Sequence, residues 1–395
     1  MRVLFANGVL VLADRVALGS VVVRDGRIER ILIGSDEPPG WDQRVDLESN
    51  YLCPGFVDLH VHGGDGADFM DGSEEAFHTA CRAHLRHGTT SLLPTSCVAT
   101  HDRILKFLAL CDRARSHAWA GARVLGAHLY GPFFAPEAKG CHPGRALRTP
   151  SEAEWRAFLD AGCVVTASIA PELPASEAFA RECRRRGIRV NIGHSLATFD
   201  QVRQAIEWGA AHVDHLFCAM SDRARLRQQQ AYPMRGGVVE ATLFFDELTT
   251  EVIADGKHLQ RELLQLAYKI KGPDRLALVT DCSRALDMPD GTYIFGPEDD
   301  GEPFLKRDGV GLLPDGKALA SSVVGMDHMV RTMHRLTGIP LYEVVRMASL
   351  TPARIIGRDD DLGSLTEGKR ADFVVLDREL TVWSVWLGGR LVHAA

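Results

Sequence analysis

His60-Val61-His62 follows the run Pro54-Gly55-Phe56-Val57-Asp58-Leu59, and two histidines separated by one residue share a face if the segment is a strand. The apolar run from Phe56 predicts a buried strand, ended by Gly63-Gly64. Two imidazoles at the end of such a strand can grip a divalent cation. For this pair alone, the plainer alternative is a polar strand end meeting water. Similar residues recur after later apolar runs: His194 after Val190-Asn191-Ile192-Gly193, His215 after Ala211 to Asp214, and Asp281 after Leu276 to Thr280. Four histidines and an aspartate at strand ends are too many to be packing accidents, and residues of these types can hold a divalent cation. His212 is expected to face away and to be structural.

The elements that must position these residues alternate along the chain. Apolar strand candidates are FVDLH, TSLLP, RVLGAHL, VVTASI, RVNIGH, AHVDHL, TEVIADG and LALVTD. Amphipathic segments such as SEEAFHTACRAHLRHG and TFDQVRQAIEWG separate most of them. Eight such strands predict a (β/α)8 TIM barrel, whose chemistry sits at the C-terminal strand ends. The first 50 residues read as short strands, with hairpin dipeptides Asn7-Gly8 and Asp25-Gly26. The far end, ADFVVLD and VWSVWLGGRLVHA, reads the same way. The expected organisation is a small β-sandwich domain from residues 1–52 and 353–395, around a barrel of residues 53–352.

Composition narrows the function classes. The 395 residues exceed one ordinary core, and 46% hydrophobic with 25% charged residues is typical of a soluble globular protein. A net charge of -7 argues against nucleic acid as the main partner. No run of about 18 apolar residues suggests a membrane span, and no signal-peptide pattern stands at the N-terminus. Nine cysteines, an odd number without CxxC, fit a reduced cytoplasmic protein.

The chain resembles the amidohydrolase superfamily, and within it the N-acetylglucosamine-6-phosphate deacetylases. The resemblance rests on PGFVDLHVHGG, GAHLYGPFF with Lys139-Gly140-Cys141-His142-Pro143, Gly193-His194-Ser195, His215-Leu216-Phe217, Ile253-Ala254-Asp255-Gly256-Lys257-His258, Leu278-Val279-Thr280-Asp281, and the closing TPARIIG and GSLTEGKRADFVVLD. It implies a metal-dependent (β/α)8 barrel with a β-sandwich from both ends, one or two divalent ions with zinc expected, and a homodimer. It also implies that Asp281 takes a proton from the attacking water and delivers it to the departing nitrogen. His142 and His258 become substrate contacts by their motif positions. The fourth strand, VVTASI, has no lysine, unlike the carbamylated-lysine sites of dihydroorotases and hydantoinases.

Three positions depart from that family pattern. The family's third strand ends in His-Leu-Glu-Gly-Pro with a metal-binding glutamate, but this chain has His128-Leu129-Tyr130-Gly131-Pro132. A neutral tyrosine cannot bridge cations as a carboxylate does. The family's phosphate-contacting asparagine is replaced by Cys218, in Phe217-Cys218-Ala219-Met220, leaving backbone N–H groups near Cys218 and Ala219 as anion contacts. The arginine-rich stretch is differently spaced. Arg223, Arg225, Arg227 and Arg235 are available there, with Arg235 the expected contact. The second strand, ending at Cys97, resembles D-aminoacylases, in which a cysteine at this place is a metal ligand. Cys97 is therefore a candidate replacement for the missing glutamate.

The expected metal residues are thus His60, His62, Cys97, His194, His215 and Asp281, with Asp281 also catalytic. The expected substrate contacts are His142, Cys218, Ala219, Arg235 and His258. The favoured activity is deacetylation of an N-acetylated amino sugar, N-acetylglucosamine 6-phosphate first, with a small molecule as the partner. An N-acyl-D-amino acid deacylase or other small-amide hydrolase is the alternative enzyme. A binding relative impaired by loss of the glutamate is the non-enzymatic alternative, which retention of Asp281 argues against.

Overall fold

In a computed structural model, residues 1–34, 37–116, 121–228 and 233–395 are described. Eight parallel strands form the centre: Phe56–Val61, Thr89–Pro94, Ala127–Tyr130, Val164–Ile169, Arg189–Ile192, Ala210–Val213, Thr249–Val252 and Leu276–Leu278. The third to eighth pair in sequence order, and the first pairs with the second. Parallel bridges Thr95–His128 and Val61–Cys282 close the remaining two seams. The Asp281 amide donates to the His60 carbonyl at 2.8 Å, so the ends of the first and eighth strands are stitched together at the site itself. Parallel strands covered on both faces read as continuous apolar runs, which explains why every residue of Phe56–Val61 and Thr89–Pro94 is buried.

Outer helices carry the amphipathic pattern. Glu74–Arg86 buries Phe77, Ala80, Cys81 and Leu85, and the Ser73 side chain caps it by accepting from the Ala76 amide. Phe199–Trp208 begins with a Thr198/Gln201 capping box and ends at Gly209, whose φ is 118°.

The two ends of the chain build one eight-stranded sheet, in the order Arg390–Ala394, Val382–Leu387, Phe373–Leu376, Tyr51–Pro54, Arg2–Val11, Val16–Arg24, Arg27–Ile33, with Gln43–Asp46 also paired to Arg2–Val11. The sheet curls until Ala371 N donates to Gly26 O and Ile28 N to Lys369 O, both at 2.9 Å. Phe5 sits inside the curl, with ring centroids 5.2 Å from Phe373 and 4.8 Å from Trp386. Val374, Leu376 and Val385, in the same sheet, belong to the barrel's hydrophobic cluster. A feature not anticipated from sequence is a three-stranded antiparallel sheet, Gly291–Phe295, Glu302–Arg307 and Val310–Leu312, inserted after the eighth barrel strand.

Candidate metal centre and substrate cavity

Strand ends gather the side chains. His60 is fully buried, with Nδ1 2.6 Å from Glu251 Oε1 and Nε2 3.5 Å from Asp281 Oδ1. His62 Nε2 lies 3.3 Å from the same Asp281 oxygen. Ligand atoms of His60, His62 and Asp281 all lie within 4.8 Å of one another. Ligands of one tetrahedral ion, with bonds of about 2.0–2.1 Å, stand about 3.3–3.4 Å apart. His60 Nε2 is buried with no hydrogen-bond partner. The group therefore fits a divalent cation. A proton on His60 Nδ1, donated to Glu251, would leave Nε2 free to meet an ion.

On the other side of the site, Tyr130 Oη is 2.6 Å from His215 Nε2, which is 3.3 Å from His194 Nε2. His194 Nδ1 donates to the Ala138 carbonyl at 2.6 Å, leaving its Nε2 directed at His215. His194, His215 and Asp281 have φ values of 45°, 22° and 46°. Non-glycine residues in this region cost roughly 1–3 kcal/mol each and persist where the surroundings over-determine them. Here this conformation aims the His194, His215 and Asp281 side chains into the cavity. Gly193 is required beside His194, because a Cβ there would come 2.3 Å from Asp214 Oδ2.

Buried carboxylates underlie the histidines. Glu251 also accepts from the His215 amide at 3.2 Å and pairs with His212 Nε2 at 3.1 Å. Asp214 accepts from Ser168 Oγ at 2.5 Å and Asn191 Nδ2 at 2.8 Å. His60, Asp214 and Glu251 also lie close enough to hold an ion, but this group is already hydrogen-bonded internally and to its neighbours. Burial pushes Asp214 up to about 8. Against the cost of burial, the His60 and His62 imidazoles hold the Asp281 carboxyl well below the usual range, so it is ionised. Burial pushes His215 down to about 4 and His194 also well down, leaving both neutral.

A cavity of about 420 Å³ opens over these groups, within the size range of small-ligand sites. His62, His194, His215 and Asp281 line it, as do His142, Cys218, Ala219 and His258. His142 Nδ1 accepts from the Val98 amide at 3.3 Å, and His258 Nδ1 pairs with Asp255 Oδ2 at 2.7 Å. The Cys218 amide is already committed to the His215 carbonyl at 2.9 Å.

Two expected residues lie elsewhere. Arg235 is exposed and does not line the cavity; Arg225 does. The reason is a short helix, Arg223–Leu226, started by Asp222 accepting from the Arg225 amide at 2.7 Å. The Arg225 guanidinium donates to the Glu137 carbonyl at the cavity wall, 2.7 Å away. Residues 229–232 of that arginine-rich stretch lie outside the described residues. Cys97 joins neither ligand group. Its Sγ donates to Val98 O at 3.5 Å and packs so closely on Gly296 that a Cβ there would be 2.8 Å away. Burial raises the Cys97 thiol well above its ordinary value, which keeps it protonated.

Sequence reasoning missed Glu251, Asp214 and Phe295. A carboxylate inside an apolar run such as TEVIADG or AHVDHL is the available signal, since a buried charge needs partners. Phe295, from the inserted sheet, has its ring 4.8 Å from His62 and 5.2 Å from His142, and no local pattern announces that reach.

Comparison with known proteins agrees with this architecture. Residues 51–392 match the model of the amidohydrolase family. The chain is 34% identical to an N-acetylgalactosamine-6-phosphate deacetylase of Escherichia coli O157:H7, over 88% of this chain and 89% of that one. It superposes on the N-acetylglucosamine-6-phosphate deacetylase of Pasteurella multocida with TM-score 0.91 and 30% identity, covering 100% of both chains. A mutant N-acetyl-D-glucosamine-6-phosphate deacetylase of Mycobacterium smegmatis, in complex with N-acetyl-D-glucosamine-6-phosphate, superposes with TM-score 0.87 and 29% identity, covering 99% of each chain.

Proposed function

The chain belongs to the amidohydrolase family, and from this we infer that it is a metal-dependent deacetylase of N-acetylated amino sugar 6-phosphates, N-acetylglucosamine 6-phosphate first. The observation that carries the reading is the His60, His62 and Asp281 group, of which His62 and Asp281 line a cavity of about 420 Å³. A divalent cation there, zinc by preference for two imidazoles and a carboxylate, would acidify water and polarise the amide carbonyl.

The chain's own residues account for the remaining steps. Ionised Asp281 takes the proton of the attacking water. A C–O bond forms at the acyl carbon, the C–N bond breaks, and Asp281 returns the proton to the leaving nitrogen. The products are acetate and the free amine. His142 and His258 line the cavity as substrate contacts, and Phe295 covers His62 and helps exclude water. Arg225 is the guanidinium at the cavity wall that matches a 6-phosphate. Nine free cysteines suit a reducing compartment, and we place the protein in the cytoplasm, as a homodimer like the family it resembles.

The test is acetate release from N-acetylglucosamine 6-phosphate, its galactose epimer, the unphosphorylated sugars and a panel of N-acyl-D-amino acids. Phosphorylated sugars are expected to turn over fastest, and Arg225→Ala to raise KM for them alone. Preference for N-acyl amino acids, or no hydrolysis by metal-loaded protein, would overturn the reading.

A further inference from the structure

Two sets of inward-facing nitrogens share this site, and they are not equally free. In the first, His60 Nε2 has no hydrogen-bond partner, and it and His62 Nε2 stand 3.5 and 3.3 Å from Asp281 Oδ1. Those spacings match neighbouring ligands around one ion with bonds of about 2.0–2.1 Å. In the second, His194 Nε2 and His215 Nε2 are 3.3 Å apart, but Tyr130 Oη lies 2.6 Å from His215 Nε2. Two atoms bound to one ion at about 2.0–2.1 Å would be 2.6 Å apart only at an angle of roughly 80°, far from tetrahedral. That separation is instead an ordinary O–H···N hydrogen bond. Whichever atom carries the proton, His215 Nε2 is spent on Tyr130.

Tyr130 is also held in place. It is 1% exposed, with its ring 4.8 Å from Phe134 and 5.4 Å from His142. Its amide donates to Ser96 Oγ at 2.8 Å, and Ser96 Oγ donates back to the Tyr130 carbonyl at 3.2 Å. These contacts hold the ring beside His215 at the cavity wall.

We infer that Tyr130 closes one of the two cation positions these histidines could build, so that the chain holds a single ion on His60, His62 and Asp281. His194 and His215 then line the substrate cavity, the second held by Tyr130, rather than acting as ligands. The inference rests on the metal-dependent reading above.

The test begins with wild-type protein stripped by chelator, reloaded with excess Zn²⁺, desalted and analysed for metal. One ion per chain is expected; two, or none, would overturn the inference. The double variant His60→Asn/His62→Asn is expected to lose the ion and His194→Asn/His215→Asn to keep it, and the reverse pattern would refute the assignment. Tyr130→Glu is expected to raise the content from one ion to two. A count that stays at one would show that Tyr130 is not what closes the second position. Reloading wild type with Fe³⁺ gives an independent readout: a phenolate-to-iron charge-transfer band would mean that Tyr130 is a ligand, and its absence is expected. Acetate release separates the two readings. One bound ion without hydrolysis overturns the function and leaves this inference standing, whereas two ions with hydrolysis does the opposite.

Discussion

Glu251→Gln isolates what a buried carboxylate does beneath a metal ligand. Glu251 is 1% exposed and faces three donors: His60 Nδ1 at 2.6 Å, His212 Nε2 at 3.1 Å and the His215 amide at 3.2 Å. Glutamine keeps the shape but removes the charge, and it turns one acceptor into an NH₂ that must confront a donor. A buried donor left without a partner costs about 1–3 kcal/mol. The carboxylate also fixes which His60 nitrogen is free, and loss of such a partner typically weakens metal binding about 10–100-fold. That is about 1.4–2.8 kcal/mol of metal binding, separate from the stability cost of the unpaired donor. The assay is Zn²⁺ competition against a chromophoric chelator on folded variant protein, followed by acetate release at saturating metal. Weaker binding with activity largely restored by excess Zn²⁺ is expected. Unchanged affinity would refute the positioning argument, and lost activity at full metal load would mean that Glu251 takes part in the chemistry.

Asp281→Asn, assayed at saturating metal, is expected to lose about 10²–10⁴-fold in turnover, since it removes the proton carrier; near-normal hydrolysis would move that role elsewhere. Gly193→Ala forces a Cβ to within 2.3 Å of Asp214 Oδ2, an atom already held by Ser168. A loss of about 1–3 kcal/mol in denaturant melts is expected, and an unchanged midpoint would count against the packing argument. Far from the site, His87 lies 2.8 Å from Asp327 and 3.0 Å from Asp287. Burial opposes its charge, but the two carboxylates raise it to about 9. A raised histidine stabilises fully below its unfolded value of about 6.5, and the contribution fades as pH rises through about 9. The stability gap between wild type and His87→Gln is therefore expected to narrow by about 2–3 kcal/mol between pH 6.5 and 9.5, and a constant gap would refute it.

Much of the centre is legible in the sequence because strand periodicity and barrel architecture decide it. His60 and His62 share a face by alternation, and His194, His215 and Asp281 end apolar runs, so one architecture brings all five together. The closed barrel and the sheet from both ends follow from the same patterning. What escapes is set by irregular backbone. A four-residue helix decides that Arg225, not Arg235, reaches the cavity, and that turn depends on a single Asp222 cap. Cys97 stands at a strand end, but its thiol points by local packing against Gly296, which no spacing encodes. The residue type at Tyr130 is visible as a departure, whereas its bond to His215 is not.

The curled sheet has a consequence for how the chain must be made. Tyr51–Pro54 pairs on one edge with Arg2–Val11 and on the other with Phe373–Leu376, so the strand that leads directly into His60 has one unfinished edge until the last strands emerge. At about 5–20 residues per second, the roughly 320 intervening residues take on the order of half a minute to synthesise. Throughout that interval, apolar Leu52 and Cys53 offer unpaired backbone to any other extended chain nearby. Overcrowded expression should therefore yield aggregates joined through the N-terminal strands, and slower synthesis would not cure them, because it lengthens the same exposure.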